Sequence, residues 1–234
     1  MKNLFFLLLL FGCNVTTNET YSERKTNNYQ DLVDLFKDWR KFESPPLLNG
    51  APDYTQERFN NDQEKFSELR DKLNNFDINK WSISNQIDWH IVRAEMNGYD
   101  FNYRVLRPWQ RDPAFYQTIW MYQSDVPAHE GPTNHGVLEF WMYEIPLNQE
   151  SEKKLLKELK SITPFLEQAR INLTGNAKEL WVAGIENLRK QRDNLIVINT
   201  SLNLEDNHAI NKEINTAIKS TEDFITWLEK ESKN

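Results

Sequence analysis

Cysteine is almost absent from this sequence, because its 234 residues contain only Cys13. A single cysteine cannot form a disulfide within the chain, so stability must come from packing even in an oxidising compartment. Glycine is also scarce, with seven residues in all, and strict alternation of apolar and polar residues is rare. These absences favour helices over β-sheet.

Basic stretches are lacking as well. The chain contains 28 Lys and Arg residues against 35 Asp and Glu residues, a formal net charge of −7. A net acidic chain without a basic run argues against nucleic acid as a partner. The sequence also contains no glycine-rich phosphate loop, no Gly-x-Ser-x-Gly elbow and no candidate cysteine nucleophile, which removes several enzyme classes.

The longest apolar run stands at the N-terminus, where positions 4–11 follow Lys2. Eight helical residues extend about 12 Å, far less than the ~30 Å hydrocarbon core of a bilayer, so this run cannot span a membrane. A positive start, a short apolar stretch and the small residue Gly12 are typical of a secretory signal. Residues 1–12 are therefore predicted to be a signal peptide.

Cys13 follows this signal where a lipoprotein signal peptidase would cut, so the sequence predicts lipidation of Cys13. Phe11 departs from the small residue usual at its position, and the alternative is an ordinary secretory signal with an incidental cysteine. Residues 14–28 are almost entirely polar. Because such a segment buries too little surface to offset the entropy of ordering it, a flexible tether is predicted over 13–28.

These features together predict an exported protein that is lipid-anchored to the cell envelope. No second apolar stretch reaches membrane length, so the predicted contact with the membrane is the lipid alone. In a Gram-negative host, we expect the outer membrane or its periplasmic face, because Asn14 rather than aspartate follows the cysteine.

From Tyr29 onward apolar residues recur at helical spacing, which predicts an all-α, irregular multi-helix domain over residues 29–234. Residues 99–113 are predicted to be irregular, and 124–134 to form a loop. Helices are predicted near 29–43, 54–74, 83–97, 114–122 and 137–143, the last in preference to a strand, and then along most of the chain from 155 to 228.

Three sequence signals predict helix boundaries in this domain. Gly98 is predicted to end the third helix as a left-handed cap. Thr163 followed by Pro164 predicts the start of a new helix, because proline is favoured at the first helical position. Asn176 begins a capping-box pattern, which predicts that another helix opens just after it.

His129 and His135 flank a glutamate in a segment similar in composition to the zinc motif His-Glu-x-x-His. That motif works because histidines four residues apart on a helix face the same metal ion. Here the histidines are six residues apart, with Gly131 and Pro132 between them. We interpret the segment as a turn and assign no metal ligand, although a loop could still bring both histidines to a metal.

A polar face is predicted on the third helix, where Gln86, His90, Arg93 and Asn97 recur at spacings of four, three and four. Polar groups that face an interior need partners, and such networks fix the geometry of helices. They also shape ligand pockets. We favour the structural role and keep His90 as a candidate substrate-binding residue.

An aromatic-arginine loop follows this helix and contains Arg104, Arg107, Trp109 and Arg111. Arginine forks of this kind could bind a carboxylate or a phosphate, so all four residues are candidates for substrate binding. The same side chains could instead hold the loop in place by stacking and ion pairs. We favour this second role and expect Arg107 to be the most buried arginine, because it lies between Leu106 and Pro108.

Several segments together resemble the N-terminal part of a bacterial family known as domain of unknown function 885 (DUF885). The resemblance covers about residues 30–200. It is carried by residues 34–42, 50–55, 88–101, 105–109, 111–116, 130–132, 172–177 and 180–181.

This resemblance implies a function that the residues of the chain do not indicate by themselves. Members of the family are longer, largely helical and similar to zinc metallopeptidases of the gluzincin kind, including helical carboxypeptidases. Their presumed metal motif, His-Glu-x-x-Pro-Gly-His, lies in the C-terminal part, and no stretch of this chain matches it. The resemblance thus implies a truncated N-terminal portion of a larger zinc-peptidase-like fold, which forms one wall of the cleft and binds no zinc itself.

Two other interpretations stay open at this point. The chain could be a non-catalytic, lipid-anchored lipoprotein that binds peptides or a partner protein through the aromatic-arginine loop. It could also be a fragment without a function of its own.

Overall fold

The computed structural model describes residues 26–123, 138–175, 177–205 and 207–233. Its long helices confirm the predicted all-α fold. They are α1 (Tyr29–Glu43), α2 (Gln56–Asn74), α3 (Ile83–Phe101), α5 (Gln149–Asn172), α6 (Lys178–Leu202) and α7 (Ala209–Glu231), and a short helix, α4 (Pro108–Arg111), lies between α3 and α5.

Short elements connect these helices. The described residues contain two strand pairs, β1 (Leu47–Leu48) antiparallel to β2 (Ala51–Pro52), and β3 (Ile119–Trp120) parallel to β4 (Leu138–Glu139). The remaining turns are three 3-10 helices (Ile78–Lys80, Pro113–Tyr116 and Phe140–Met142) and a π-helical turn (Asn102–Leu106).

The first three helices begin at residues whose side chains satisfy free amide groups of the first turn. The side chain of Asn28 accepts a hydrogen bond from the backbone N–H of Gln30, and Thr55 Oγ1 accepts one from Arg58. Ser82 Oγ does the same for α3. Asn, Thr and Ser are favoured at this position for that reason, and the predicted starts of these helices lie within two residues of the observed ones.

The predicted end of the third helix at Gly98 is wrong. Helix α3 continues through Gly98 to Phe101 and passes into the π-helical turn, so most of the stretch predicted to be irregular is helical. The reason is packing, since Tyr99 lies 5.5 Å from Trp39 and 5.1 Å from Phe66, measured between ring centroids. This aromatic contact keeps the residue after Gly98 in the helix despite the modest helical cost of glycine.

The predicted helix start at Pro164 is also wrong. Helix α5 runs without a break from Gln149 to Asn172 with Pro164 inside it. A proline within a helix costs about 3 kcal/mol because it removes a hydrogen bond. Here the flanking side chains of Ile162 and Phe165 are fully buried, and their burial offsets that cost.

Two predictions for shorter segments need correction, and a third is confirmed. Residues 137–143 do not form a helix where they are described, because β4 is followed by a 3-10 turn. The predicted helix over 114–122 is only a 3-10 turn that leads into β3. A helix does open after Asn176, at Lys178, whereas Asn176 itself and the predicted loop over 124–134 lie outside the described residues.

The buried apolar side chains form two clusters. The larger core is built mainly from α5, α6, α7 and the segment 109–119, and the smaller core from α1, α2 and α3. Helix α2 contributes to both, because Phe59 lies in the larger core whereas Phe66, Leu69 and Leu73 lie in the smaller one. Helix α2 therefore connects the two halves of the fold.

Helix α3 presents an unexpected face to solvent. Its buried residues are Val92 and Met96, whereas the isoleucines whose spacing located the helix, Ile83, Ile87 and Ile91, are 50–78% exposed. No helix in the described parts of the chain is long and apolar enough to cross a membrane.

Candidate functional site

The polar contacts between α1 and α3 are made by acidic side chains rather than by the predicted polar face. The hydroxyl of Tyr29 donates to Asp88 Oδ2 at 2.6 Å, and this hydrogen bond raises the pKa of Tyr29 above its ordinary value. The indole Nε1 of Trp39 donates to Glu95 Oε2 at 3.2 Å, and Arg40 also reaches that carboxylate. Asp88 and Glu95 thus fix α3 against α1.

The predicted polar face itself points mostly outward. His90, Arg93 and Asn97 are exposed. Gln86 Nε2 donates to the carbonyl of Trp81, and the guanidinium of Arg93 lies 5.5 Å from the centroid of the Trp89 ring. The His90 ring lies edge-on to Trp89 at 5.0 Å. The prediction of an interior polar network on this face is therefore wrong. His90 lies on the surface and remains a candidate substrate-binding residue.

The three arginines of the aromatic-arginine loop are all exposed. Arg104 forms a two-point ion pair with Asp100, and Arg111 Nη1 donates to the carbonyl of Leu106 at 3.5 Å. Arg107 has a left-handed backbone, with φ 46°, between the π-helical turn and α4. The prediction that Arg107 is buried is wrong, because the adjacent Leu106 is itself 45% exposed and no core lies there.

Trp109 differs from the arginines because it belongs to the larger core. It is 4% exposed, and its ring stacks on Phe59 with centroids 3.9 Å apart. The ring of Tyr103 also lies nearly parallel to that of Trp109, with centroids 6.2 Å apart. A ligand on the surface would therefore meet the arginines but not the face of Trp109.

A buried glutamine on α5 holds the segment of β2 in place. Gln168 Oε1 accepts a hydrogen bond from the backbone N–H of Tyr54 at 2.6 Å, and its Nε2 donates to the carbonyl of Pro52 at 3.1 Å. Because a buried amide needs both kinds of partner, this side chain fixes the backbone of 52–54 against the helix.

One turn further along α5, Asn172 connects that segment to α4. Its Nδ2 donates to the carbonyl of Tyr54 at 2.9 Å and to the hydroxyl of Tyr116 at 3.0 Å. The Tyr116 hydroxyl in turn donates to the carbonyl of Trp109 at 2.7 Å. Burial raises the pKa of Tyr116 well above its ordinary value, so this hydroxyl stays protonated and serves as a structural donor.

Two glycines allow the same segments to approach α6. The N–H of Gly175 donates to the carbonyl of Gln110 at 2.9 Å, and a Cβ added to Gly175 would lie 2.7 Å from Arg111 Cγ. A Cβ on Gly184 would lie 2.8 Å from the backbone nitrogen of Ala114. Such distances admit only glycine without a shift of the chain.

We call the meeting point of these segments the motif junction; it consists of residues 51–54, 108–116, 168–175 and 184. Sequence reasoning singled out parts of it but missed the buried polar side chains that join them. A signal was present on α5, where Ser161, Phe165, Gln168 and Asn172 recur at spacings of four, three and four. A polar side chain on a buried helix face indicates a specific partner.

A cavity of about 230 Å³ opens next to the motif junction. The rings of Trp181 and Trp227 lie 6.1 Å apart, and the guanidinium of Arg170 lies 5.5 Å from the Trp227 ring. The lining combines two indole rings with one basic and one acidic side chain, Lys178 and Glu231. The lining residues are Leu173, Thr174, Gly175, Lys178, Trp181, Trp227, Glu231 and Ser232.

Metal-ligating side chains do not cluster in the part of the chain that the structure describes, where no group of three His, Cys, Asp or Glu residues is suited to hold an ion. His129 and His135 lie outside the described residues. The zinc implied by the resemblance to DUF885 therefore has no ligand set among the described side chains.

The fold and the motif junction define a helical protein built around buried polar contacts, and comparison with known proteins extends this description. No family model matches the chain, and no curated protein matches it. Its fold is similar to that of a protein from Shewanella oneidensis that is assigned as a lipoprotein of unknown function, with a TM-score of 0.62 and 13% identity. The match covers 89% of this chain but only 38% of that one. This likeness shows a shared fold, and the resemblance to DUF885 stays a prediction.

The exposed arginines can be tested with one conservative change. We expect Arg107→Lys to shift the melting temperature by only about 1–2 °C, because changes at exposed positions stay within about 0.5 kcal/mol. If this fork binds carboxylates, the same variant should bind peptides with a free C-terminus more weakly, whereas amidated peptides should not distinguish it from wild type. Thermal melting and calorimetric peptide titration measure the two effects. A large loss of stability would contradict the exposed position.

Proposed function

We propose that this chain is the N-terminal helical portion of a lipid-anchored, zinc-peptidase-like protein, in which it forms a wall beside the active site. The observation that carries the proposal is the shared fold with a much longer lipoprotein chain, of which this chain matches 38%. A fold that recurs as less than half of a longer chain is suited to be one part of a larger architecture.

The motif junction supports this proposal. Among the segments that carry the resemblance to DUF885, three groups lie far apart in the sequence: 50–55, then 105–109 with 111–116, then 172–177 with 180–181. In the fold they meet through Tyr54, Tyr116 and Asn172. Segments that carry a resemblance and also pack together form one structural unit, which is what a wall of a cleft requires.

The chemistry that we assign to this portion is limited to positioning. The described residues do not supply a set of zinc ligands, so no catalytic step is assigned to them. Arg107 and Arg111 are exposed and could bind a carboxylate of a peptide substrate, because a guanidinium fork matches both carboxylate oxygens. The fork of Arg104 is already engaged by both oxygens of Asp100.

The proposal predicts the behaviour of the isolated mature chain. We expect the purified protein to hold no stoichiometric zinc after dialysis and to hydrolyse no peptide, because the sequence contains no His-Glu-x-x-Pro-Gly-His motif. Elemental analysis and a peptide hydrolysis assay measure this, with His129→Ala as the control. One tightly held zinc per chain that is lost in His129→Ala would overturn the prediction.

A second observation tests the proposed larger protein. The DNA downstream of this sequence should encode a helical segment that contains His-Glu-x-x-Pro-Gly-His, in the same or a second reading frame. Co-expression of that segment should then produce zinc-dependent peptide hydrolysis that neither part shows alone. Absence of such a segment would contradict a peptidase-like role and leave a lipoprotein without that chemistry.

Export and lipid attachment are also part of the proposal. The neighbour in fold is assigned as a lipoprotein, and Cys13 follows a signal-like segment in this chain. We propose that the protein is lipid-anchored to the cell envelope with its helical domain outside the cytoplasm, and, if the host is Gram-negative, that the anchor lies in the outer membrane or at its periplasmic face.

A second candidate function is supported by the cavity beside the motif junction. Its two indole rings and the nearby Lys178 could hold a peptide or small ligand without catalysis. A non-catalytic, peptide- or protein-binding lipoprotein would lose this binding in Trp227→Ala and would retain it in Arg107→Lys.

A further inference from the structure

Exposed apolar side chains recur along one side of α3 and of the π-helical turn that follows it, with an interval of ten positions between Ile91 and Phe101. We define the α3 apolar face as Ile83, Ile87, Ile91, Phe101 and Val105, which are 78, 53, 50, 49 and 50% exposed, respectively. They follow the 3.6-residue period on one side of the helix and extend about 33 Å. Scattered exposed apolar residues are ordinary, but a row of this length indicates an interaction surface.

Positive charge accompanies this face in a chain whose net charge is −7. Within residues 78–111 every basic residue is exposed, whereas no acidic residue is exposed. The exposed basic residues are Lys80, Arg93, Arg104, Arg107 and Arg111. The exposed charge of residues 78–111 is thus positive, whereas the net charge of the whole chain is negative.

The acidic residues of the same region are half-buried and engaged. Asp88 accepts from Tyr29, Glu95 accepts from Trp39, and Asp100 pairs with Arg104. The contacts of Asp88 and Glu95 hold α3 against α1, whereas the pair of Asp100 and Arg104 is local. No exposed carboxylate remains between positions 78 and 111 to repel an anionic surface.

The chain that leads back to Cys13 leaves the fold at one end of this face. Thr26 bridges to the backbone at Asn75 and Asp77. Trp81 lies two residues before Ile83, and its indole Nε1 donates to the carbonyl of Asn27 at 2.6 Å. The first described residues are therefore held beside the N-terminal end of α3.

Covalent geometry limits the distance between the lipid and this face. Twelve residues lie between Cys13 and Thr26, and the thirteen Cα–Cα steps that join the two span at most about 45 Å. This reach is comparable with the ~33 Å length of the face itself. A lipid on Cys13 would therefore keep the α3 apolar face close to the bilayer to which it is attached.

From these observations we propose that the α3 apolar face lies on the surface of an anionic membrane. Its isoleucines and Phe101 enter the boundary between headgroups and acyl chains, and the surrounding arginines contact lipid phosphates. The proposal goes beyond the lipid anchor, because the anchor alone tethers the domain whereas this face sets its orientation. It rests on lipidation of Cys13 and is independent of any peptidase-like role.

Vesicle binding of a non-lipidated protein isolates the contribution of the face. The mature chain with Cys13→Ser is sedimented with vesicles of phosphatidylcholine, and with vesicles of phosphatidylcholine and phosphatidylglycerol in equal parts. We expect at least about tenfold stronger partitioning into the anionic vesicles, falling steeply with salt, because several arginines face the lipid. Equal partitioning into both vesicles, or none, would overturn the proposal.

Matched variants distinguish this face from apolar surface elsewhere. Ile87→Glu with Ile91→Glu should reduce partitioning by about tenfold or more, because it removes apolar contact and adds repulsive charge. Ile171→Glu with Ile196→Glu changes isoleucines that are 77% and 47% exposed outside the face and should leave it unchanged. Circular dichroism must show the same melting curve for both pairs, since all four side chains are exposed.

Two other occupants of the face are outcomes of the same experiment. One outcome is that sedimentation shows a dimer for wild type and a monomer for the double variant Ile87→Glu with Ile91→Glu. In that case a second copy covers the face and the membrane proposal is wrong. If the wild-type protein does not bind vesicles but binds the downstream segment through this face, a protein partner covers the α3 apolar face. The membrane proposal is then wrong as well.

Discussion

Replacing Trp109 by alanine is expected to lower the free energy of unfolding by about 3–5 kcal/mol, the range typical of a buried aromatic truncated in a well-packed core. Trp109 is 4% exposed and stacks on Phe59, and its backbone carbonyl accepts the hydroxyl of Tyr116. The cavity left behind would loosen α4 where it meets α5. Urea denaturation measures the change, provided that the slope of the transition is unchanged.

Trp120→Ala is the matched control for this prediction. Trp120 is 44% exposed on β3, so its truncation should cost far less than that of Trp109. A small effect of Trp109→Ala, together with a loss of ligand binding, would instead make Trp109 a surface residue of a binding site.

The second large effect concerns the anchor. Cys13→Ser is expected to abolish incorporation of a labelled fatty acid and to leave the protein unprocessed or soluble, because the thiol of Cys13 would carry the lipid. Cys13 is the only cysteine in the sequence, so no other thiol can replace it. Metabolic labelling followed by membrane fractionation measures both results.

Equal label in the variant and in wild type would show that Cys13 is not lipidated. The chain would then be exported by an ordinary signal, and the orientation proposed for α3 would lose its basis. Asn14→Asp provides a separate control, because it leaves lipidation intact and should alter only the membrane to which the protein is sorted.

The fold class could be predicted because helical periodicity and the scarcity of glycine are both visible in a single sequence. Helix starts at Asn28, Thr55 and Ser82 were also accessible, since a capping side chain acts within its own turn. The ends at Gly98 and Pro164 were not, because contacts with distant residues decide them. Tyr99 packs on α1, and the buried neighbours of Pro164 hold α5 together.

The candidate site was less predictable than the fold. Periodicity located α3 correctly but could not show which side faces solvent, because Ile83 and Met96 are both apolar. Arg107 was expected between buried neighbours and lies on the surface. The contacts of Gln168 and Asn172 join residues more than 50 positions apart, so no local pattern could assign their partners.

Helix α2 has a further consequence because it belongs to both cores. Phe59 stacks on Trp109 in the larger core, and Phe66, Leu69 and Leu73 lie in the smaller core about two to four helical turns further along. Unfolding of either core would therefore remove packing contacts from α2. The amide protons of α2 should exchange with solvent only when the whole chain unfolds, which makes the two clusters a single cooperative unit rather than two foldons.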